Sequence, residues 1–272
     1  MKKSLNLVAM GIFLGGVTGY VVGKSIGFRE ASKSALNLEE TEYVSESFEN
    51  ELTFLMPCYN EEETIGNCVD EAKKFLEDFK VNGEVLVVDN NSTDNSAKIA
   101  SEHGARVITE TEQGYGSALR AGINAAKGKY IIMGDCDMSY DFYHVDRILA
   151  RLREGYELVM GNRIPEKGAT PWTHQYIGVP VLSMLARIRF NCYITDYHCG
   201  IRGMNTTMFQ LLDLNCTGME FATEMIAKAK KAGYSITQVD VPLRKDGRSV
   251  PPKLNPIRDG IRHLKFIFGG KI

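Results

Sequence analysis

From residue 52 onward, short apolar runs alternate with stretches of helical spacing. Residues 52–56 are apolar and are broken by Pro57; residues 64–79 then repeat apolar positions every three or four. Residues 85–88 are a continuous run of valine and leucine, followed by a helical stretch at 96–103. A third short run at 106–108 precedes a helix over 117–126, and a fourth at 130–133 ends in Gly134. Strand and helix therefore alternate. Near-continuous apolar strands in this order predict a mostly parallel sheet covered by helices on both faces, with ligands at the carboxyl ends of the strands. Pro57, Asp89, Gly114 and Asp135 fall at those ends.

The flanks read differently. Residues 5–23 are apolar and uncharged between lysines, and as a helix would span roughly 28 Å, close to the ~30 Å of a bilayer core. Glycine recurs there at every fourth position, from Gly11 to Gly27. One smooth helix face of this kind suits a retained membrane anchor and offers a surface for homo-oligomer contacts. The lysines on either side leave its orientation open. Residues 30–50 are polar and acidic, as in a solvated linker. Near the other end, Ile257, Ile261, Leu264 and Phe268 share one helical face, with Arg258, Arg262 and Lys265 on another. Such a helix suits either an anionic membrane surface or docking on the domain. The apolar run at 176–185, followed by Arg187 and Arg189, reads by default as a buried core helix, with a place at the bilayer surface admitting an isoprenoid tail as the alternative. The expected division is an anchor at 1–29, a linker at 30–50, a catalytic domain at 51–256 and a terminal helix at 257–272.

Composition narrows the class. The 272 residues are 44% hydrophobic and 24% charged with a net charge of -2, so no global field draws the chain to nucleic acid. Six cysteines are scattered without a C-x-x-C pair, which reads as reduced thiols on the cytosolic side.

Chemistry concentrates at residues 129–142. Asp135 and Asp137 follow a core strand, two residues apart, so that in extended backbone both carboxylates point the same way. Two hard oxygen ligands there can hold Mg2+ or Mn2+ against a diphosphate. Other phosphate devices fail on inspection: Gly114-x-Gly116 is followed by Leu119 where a dinucleotide fingerprint needs glycine, and no P-loop or G-x-S-x-G elbow occurs.

Together, Pro57-Cys-Tyr-Asn-Glu61, Asp89-Asn-Asn-Ser-Thr-Asp94, Gly114-Tyr-Gly116 and Asp135-Cys-Asp137 resemble the family 2 glycosyltransferases of the GT-A fold. Thr195-Asp196-Tyr-His-Cys-Gly200-Ile-Arg202, Thr217-Gly-Met-Glu220-Phe-Ala-Thr-Glu224 and Asp246-Gly-Arg248-Ser249 extend the similarity to the polyprenyl-phosphate sugar synthases, the dolichyl-phosphate mannose or glucose type. The resemblance covers about residues 52–268. It implies that Pro57, Asn60, Glu61 and Asp89, with Tyr59, Asn91 and Gly114 beside them, hold the base and ribose of a nucleotide sugar. Asp135 and Asp137 would hold the metal and diphosphate; Arg202, Arg248 and Lys253 would face the phosphates or the acceptor. Ser139 stands where mannose synthases often carry glutamine, which leaves the sugar open. Relatives also commonly continue into membrane helices after the last motif, whereas this chain stops at Ile272.

The expectation is a membrane-anchored, inverting transferase that moves a hexose to a polyprenyl phosphate, its domain facing the cytoplasm where nucleotide sugars reside. A glycan or glycolipid hydroxyl acceptor is the alternative; it requires a base, for which Glu224 and Asp196 are the candidates. A non-catalytic nucleotide-sugar-binding membrane protein is the second alternative.

Overall fold

A computed structural model describes residues 48–170, 178–249, 253 and 255–270, all within the compact unit Phe48–Ile272. The sheet starts where the apolar runs place it. β1 (Asn50–Cys58), β2 (Gly83–Asp89), β3 (Arg106–Thr109) and β4 (Gly128–Met133) are parallel, and α1 (Ile65–Asp78), α2 (Ser96–Glu102) and α3 (Tyr115–Ala125) connect them. Alternation along β1 shows why both faces must be covered: Leu52, Phe54 and Met56 enter one core and Leu55 the other, all fully buried.

Three more strands complete the sheet in the order β3-β2-β1-β4-β6-β5-β7. β5 (Leu158–Pro165) and β7 (Ile236–Leu243) pair in parallel, while β6 (Arg202–Asn205) runs antiparallel between β4 and β5. β6 is Arg-Gly-Met-Asn, with no apolar run to announce it. It is a strand because Met204 buries beside Ile131 and because Gly203 lets α4 (Asp146–Arg153) close on the sheet; a Cβ there would meet Ile148 Cγ2 at 2.4 Å. α4 joins α1 and α2 on one face. The other face carries α3, α5 (Val179–Phe190), α6 (Thr206–Gln210), α7 (Phe221–Lys231) and α8 (Pro256–Gly269). The expected mixed α/β architecture with a mostly parallel sheet is thus present, with a single reversed strand.

α8, expected at 257–272, is docked on α5 and α7. Phe266 meets Phe190 with ring centroids 6.2 Å apart, and His263 hydrogen-bonds Thr223 at 2.9 Å and meets His198 edge-to-face at 4.5 Å. Burial pulls the His263 pKa down from 6.5 to about 4. The unfolded chain protonates this imidazole below pH 6.5 and the folded chain only near pH 4, so stability is lost as the pH falls through that window. The loss is about 3 kcal/mol, at ~1.4 kcal/mol per unit. Urea unfolding at pH 7 and pH 4.5 should show a smaller pH penalty for His263→Gln than for the natural chain; equal penalties would remove His263 as the cause.

Among the described residues no helix is long and apolar enough to cross a membrane. The apolar segment 5–23, its glycine series and the acidic stretch 30–47 lie outside the described residues, as do the anchor and homo-oligomer expectations that rest on them.

Candidate active site

The carboxyl edge of β1, β2 and β4 gathers the acids. Asp135 follows β4 by two residues, and its Oδ1 accepts a hydrogen bond from the Tyr115 hydroxyl at 3.0 Å. Its other oxygen lies where a Cβ on Gly200 would sit, 2.3 Å away, so only glycine fits at the approach to β6. Burial, then the neighbouring Asp137 charge, raise the Asp135 pKa from 3.8 to about 6. Met138 takes a left-handed φ of 65°, which turns the chain so that Ser139 N and Oγ both donate to Asp137 Oδ1, at 3.0 and 2.5 Å. Asp137 is thereby fixed in orientation.

On the β1–β2 side, Asn60 adopts a φ of 52° and its Oδ1 accepts from Thr93 N at 2.7 Å, clamping the loop after β1 to the loop after β2. Glu61 and Asp89 are 8% and 7% exposed, yet Glu61 Oε2 and Asp89 Oδ1 are buried oxygens without a hydrogen-bond partner among the described residues. Buried acceptors left open at a strand edge fit a ligand that brings donors, as a ribose or a nucleobase N–H does. Burial raises the Glu61 pKa against the pull of Lys253 and Arg248.

Other expected residues have local duties. Tyr59 is at the rim, 36% exposed, with the Lys253 ammonium 5.6 Å from its ring centroid. The Pro57 carbonyl accepts from Cys136 Sγ at 3.2 Å, linking the ends of β1 and β4. Asn91 is exposed and its amide is given to Thr111 O at 2.9 Å. Its buried neighbour Asn90, missed in the sequence, binds Glu110 O, Glu112 O and Gly114 N, tying the loop after β2 to the loop after β3 with one side chain. Gly114 has a φ of 151° and a Cβ there would lie 2.2 Å from Thr217 O. Its glycine is required for backbone packing, and Gly116 lies inside α3, whereas a loop was expected there.

The loop after β7 crosses the site. Gly247 N donates to Asp137 O and Arg244 N to Ser139 O, both at 2.9 Å. Arg248, with a side chain 9% exposed, reaches Glu61 Oε1 at 3.0 Å and Asp137 Oδ2 at 3.1 Å and pairs with Asp246. Lys253 Nζ donates to Glu61 Oε1 and Asn60 O, both at 2.6 Å, and to Tyr59 O. Glu61, Asp137, Arg248 and Lys253, up to 192 positions apart in sequence, therefore form one cluster. Asp246, which pairs with Arg248 two residues on, and Tyr115, which holds Asp135 through a contact that only the fold creates, were not anticipated.

Three expected residues are placed elsewhere. Arg202, expected to face phosphate, is 1% exposed; it donates to Cys199 O, Ala222 O and Tyr197 O at 2.7–3.1 Å, so its guanidinium braces backbone and its charge reaches Asp135 only as a field. Glu224 is 1% exposed and accepts from Asn215 N at 2.9 Å and Cys216 N at 2.8 Å while Lys228 pairs with it at 2.8 Å. Asp196 forms a two-point pair with Arg163 at 2.5 and 2.9 Å and accepts from His198 N. Neither acid is a free base.

The acid pair fits a divalent cation. Among the described residues no third His, Cys, Asp or Glu joins it. Mg2+ is usually held by one or two carboxylates, with substrate phosphates and water completing the shell, and the like-charge repulsion that raises the Asp135 pKa is what a cation would relieve.

The model described as glycosyl transferase family 2 matches residues 53–212. The low-salt glycan biosynthesis hexosyltransferase Agl6 of Haloferax volcanii is 35% identical over 220 residues, covering 79% of this chain; the chain spans about half, 52%, of that protein. A dolichyl-phosphate hexose transferase of the same organism is 28% identical over 212 residues, covering 78% of this chain and 90% of its own. A glucosyl-3-phosphoglycerate synthase from Mycobacterium tuberculosis, solved with Mn2+, UDP-glucose and phosphoglyceric acid, superposes with a TM-score of 0.65 over 82% of each chain at 22% identity.

Proposed function

The chain belongs to glycosyl transferase family 2, and from that premise we propose that it transfers a hexose from a nucleoside-diphosphate sugar to a polyprenyl phosphate with inversion. The observation that carries the acceptor assignment is the engagement of Glu224 and Asp196: both acids are spent on structural partners, and a phosphate nucleophile, already anionic, requires no base. The name of the Haloferax dolichyl-phosphate hexose transferase supports the same class.

In this reading the open oxygens of Glu61 and Asp89 receive the nucleoside. An acceptor phosphate oxygen attacks C1 of the hexose from the face opposite the diphosphate; the C1–O bond breaks with its electron pair and nucleoside diphosphate departs. A divalent cation held by Asp135 and Asp137 would supply neutralisation of the charge that develops on the diphosphate. Arg248 turns from Asp137 and Glu61 toward the phosphates, with donors suited to two-point contact. Tyr115 and Ser139 hold the two carboxylates in place. We assign segment 1–29 as the anchor and the cytoplasm as the side of the domain.

The test is transfer of radiolabelled sugar from UDP-glucose, UDP-GlcNAc and GDP-mannose into organic-extractable polyprenyl lipid by purified full-length protein, with Mn2+ or with EDTA. Label should enter the lipid phase with one donor and disappear with EDTA; donor hydrolysis without lipid label would move the acceptor to a hydroxyl. The acids give a second check. Glu224→Gln should cost about 1–3 kcal/mol of stability, because one of two loop amides loses its acceptor. Its kcat should stay within about tenfold, below the ~10²–10⁴ contribution of a general base. A thousandfold loss at unchanged stability would make Glu224 the base and overturn the phosphate acceptor.

A further inference from the structure

α5 and α8 lie side by side, joined through Phe190 and Phe266. Each buries one side: Ser183, Ala186 and Phe190 on α5, His263, Phe266 and Ile267 on α8. On a helix at a water-facing surface the remaining side should be polar. Here it is not. Val181, Met184 and Ile188, spaced for one stripe, are 44%, 46% and 75% exposed. Ile257, Ile261 and Phe268 form a second stripe, at 77%, 47% and 68%. Adjacent apolar stripes of this kind mark a surface that meets something other than water.

The charges say what. Arg187, Arg189, Arg258 and Lys265 flank the stripes, and Arg262 is tied to Glu220. The one carboxylate on either helix, Asp259, is 4% exposed and takes its bonds from Arg258 and Asn255 N. Apolar residues bordered by cations, with no exposed anion on either helix, complement the headgroup and upper acyl region of an anionic bilayer. We propose that α5 and α8 together form a docking face that lies in the interface of an anionic lipid bilayer. α8 begins three residues after Lys253, whose ammonium is in the acid cluster, so docking sets the site beside the bilayer surface. That a lipid phosphate then reaches the site rests on the acceptor proposed above; the face itself does not.

The experiment uses full-length protein in vesicles of phosphatidylethanolamine and phosphatidylglycerol that carry a nitroxide-headgroup lipid. Ile188→Cys, Phe268→Cys and, as a control on the opposite face of the sheet, Lys98→Cys in α2 are labelled with bimane, the unlabelled-site protein giving the background of the six native thiols. Quenching is read on the vesicle-bound fraction alone. It should be at least about threefold stronger at 188 and 268 than at 98, as expected of side chains in the headgroup layer. Equal quenching at all three positions overturns the face. So does protection of 188 and 268 from both nitroxide and aqueous iodide, which would put residues 1–47 or a second copy there instead. The double variant Ile188→Glu/Phe268→Glu should lose quenching at a bimane on residue 261 (Ile261→Cys) and about tenfold of transfer to polyprenyl phosphate in vesicles, while keeping transfer to a water-soluble short prenyl phosphate. Preserved quenching in the natural sequence without transfer to either prenyl phosphate would leave the face standing and refute the acceptor.

Discussion

Asp137→Asn reduces sugar transfer by at least about a thousandfold while the protein still folds, the scale of losing a preorganised charge from a transition state. The substitution keeps shape and the Ser139 contact but halves the carboxylate pair that would hold the cation. It also removes the repulsion that, after burial, raises the Asp135 pKa, so Asp135 should return toward the ordinary carboxylate range. Steady-state transfer, Mn2+ affinity and thermal unfolding measured side by side check this. Natural activity in the variant would refute the metal clamp, and a large drop in Tm would show that the lost activity was lost structure.

Arg202→Ala is expected to destabilise the folded chain by about 4 kcal/mol or more. Three buried carbonyls lose their donor and a cavity opens between β6 and α7. For a domain of this size that is a fall in Tm of roughly 10 °C. Arg202→Lys should recover little of it, because a single ammonium cannot span carbonyls from residues 197, 199 and 222 as the guanidinium fork does. A variant of natural stability with no activity would restore the phosphate-binding role that the motif suggested.

The sequence made the first half of the fold readable because each of β1, β2 and β4 is a continuous apolar run and each intervening helix keeps its period. β6 was not readable. It is four residues long and contains Arg, Gly and Asn; only its neighbours make it a strand. The acid pair was legible from spacing, whereas Tyr115 is 20 positions from Asp135 in the chain and became visible only when α3 was placed. The structural partners of Arg202, Glu224 and Asp196 were hidden in the sequence for one physical reason. A motif names residue types but not burial, and a charged group deep in a core with all its bonds satisfied looks, in one dimension, like a charged group aimed at a ligand. Gly114, expected beside the nucleotide, has a further reason to be glycine that the sequence does not show: a Cβ there would lie 2.2 Å from Thr217 O.

β6 runs against its neighbours, so residues that precede it, rather than those that follow, arrive at the edge where β1, β2 and β4 end. Gly200 reaches Asp135 from that direction. The chain thereby separates two tasks along its length. Glu61, Asp89, Asp135 and Asp137 are all written before residue 142, and Gly200, which closes on Asp135, comes from a stretch bounded by α5 and β6. Residues 191–201 form a cassette with both ends anchored in regular structure. Exchanging that cassette between homologues, with Gly200 kept because Asp135 leaves no room for a Cβ there, would leave the segments that carry the carboxylates untouched, which makes the stretch between α5 and β6 a natural point of recombination.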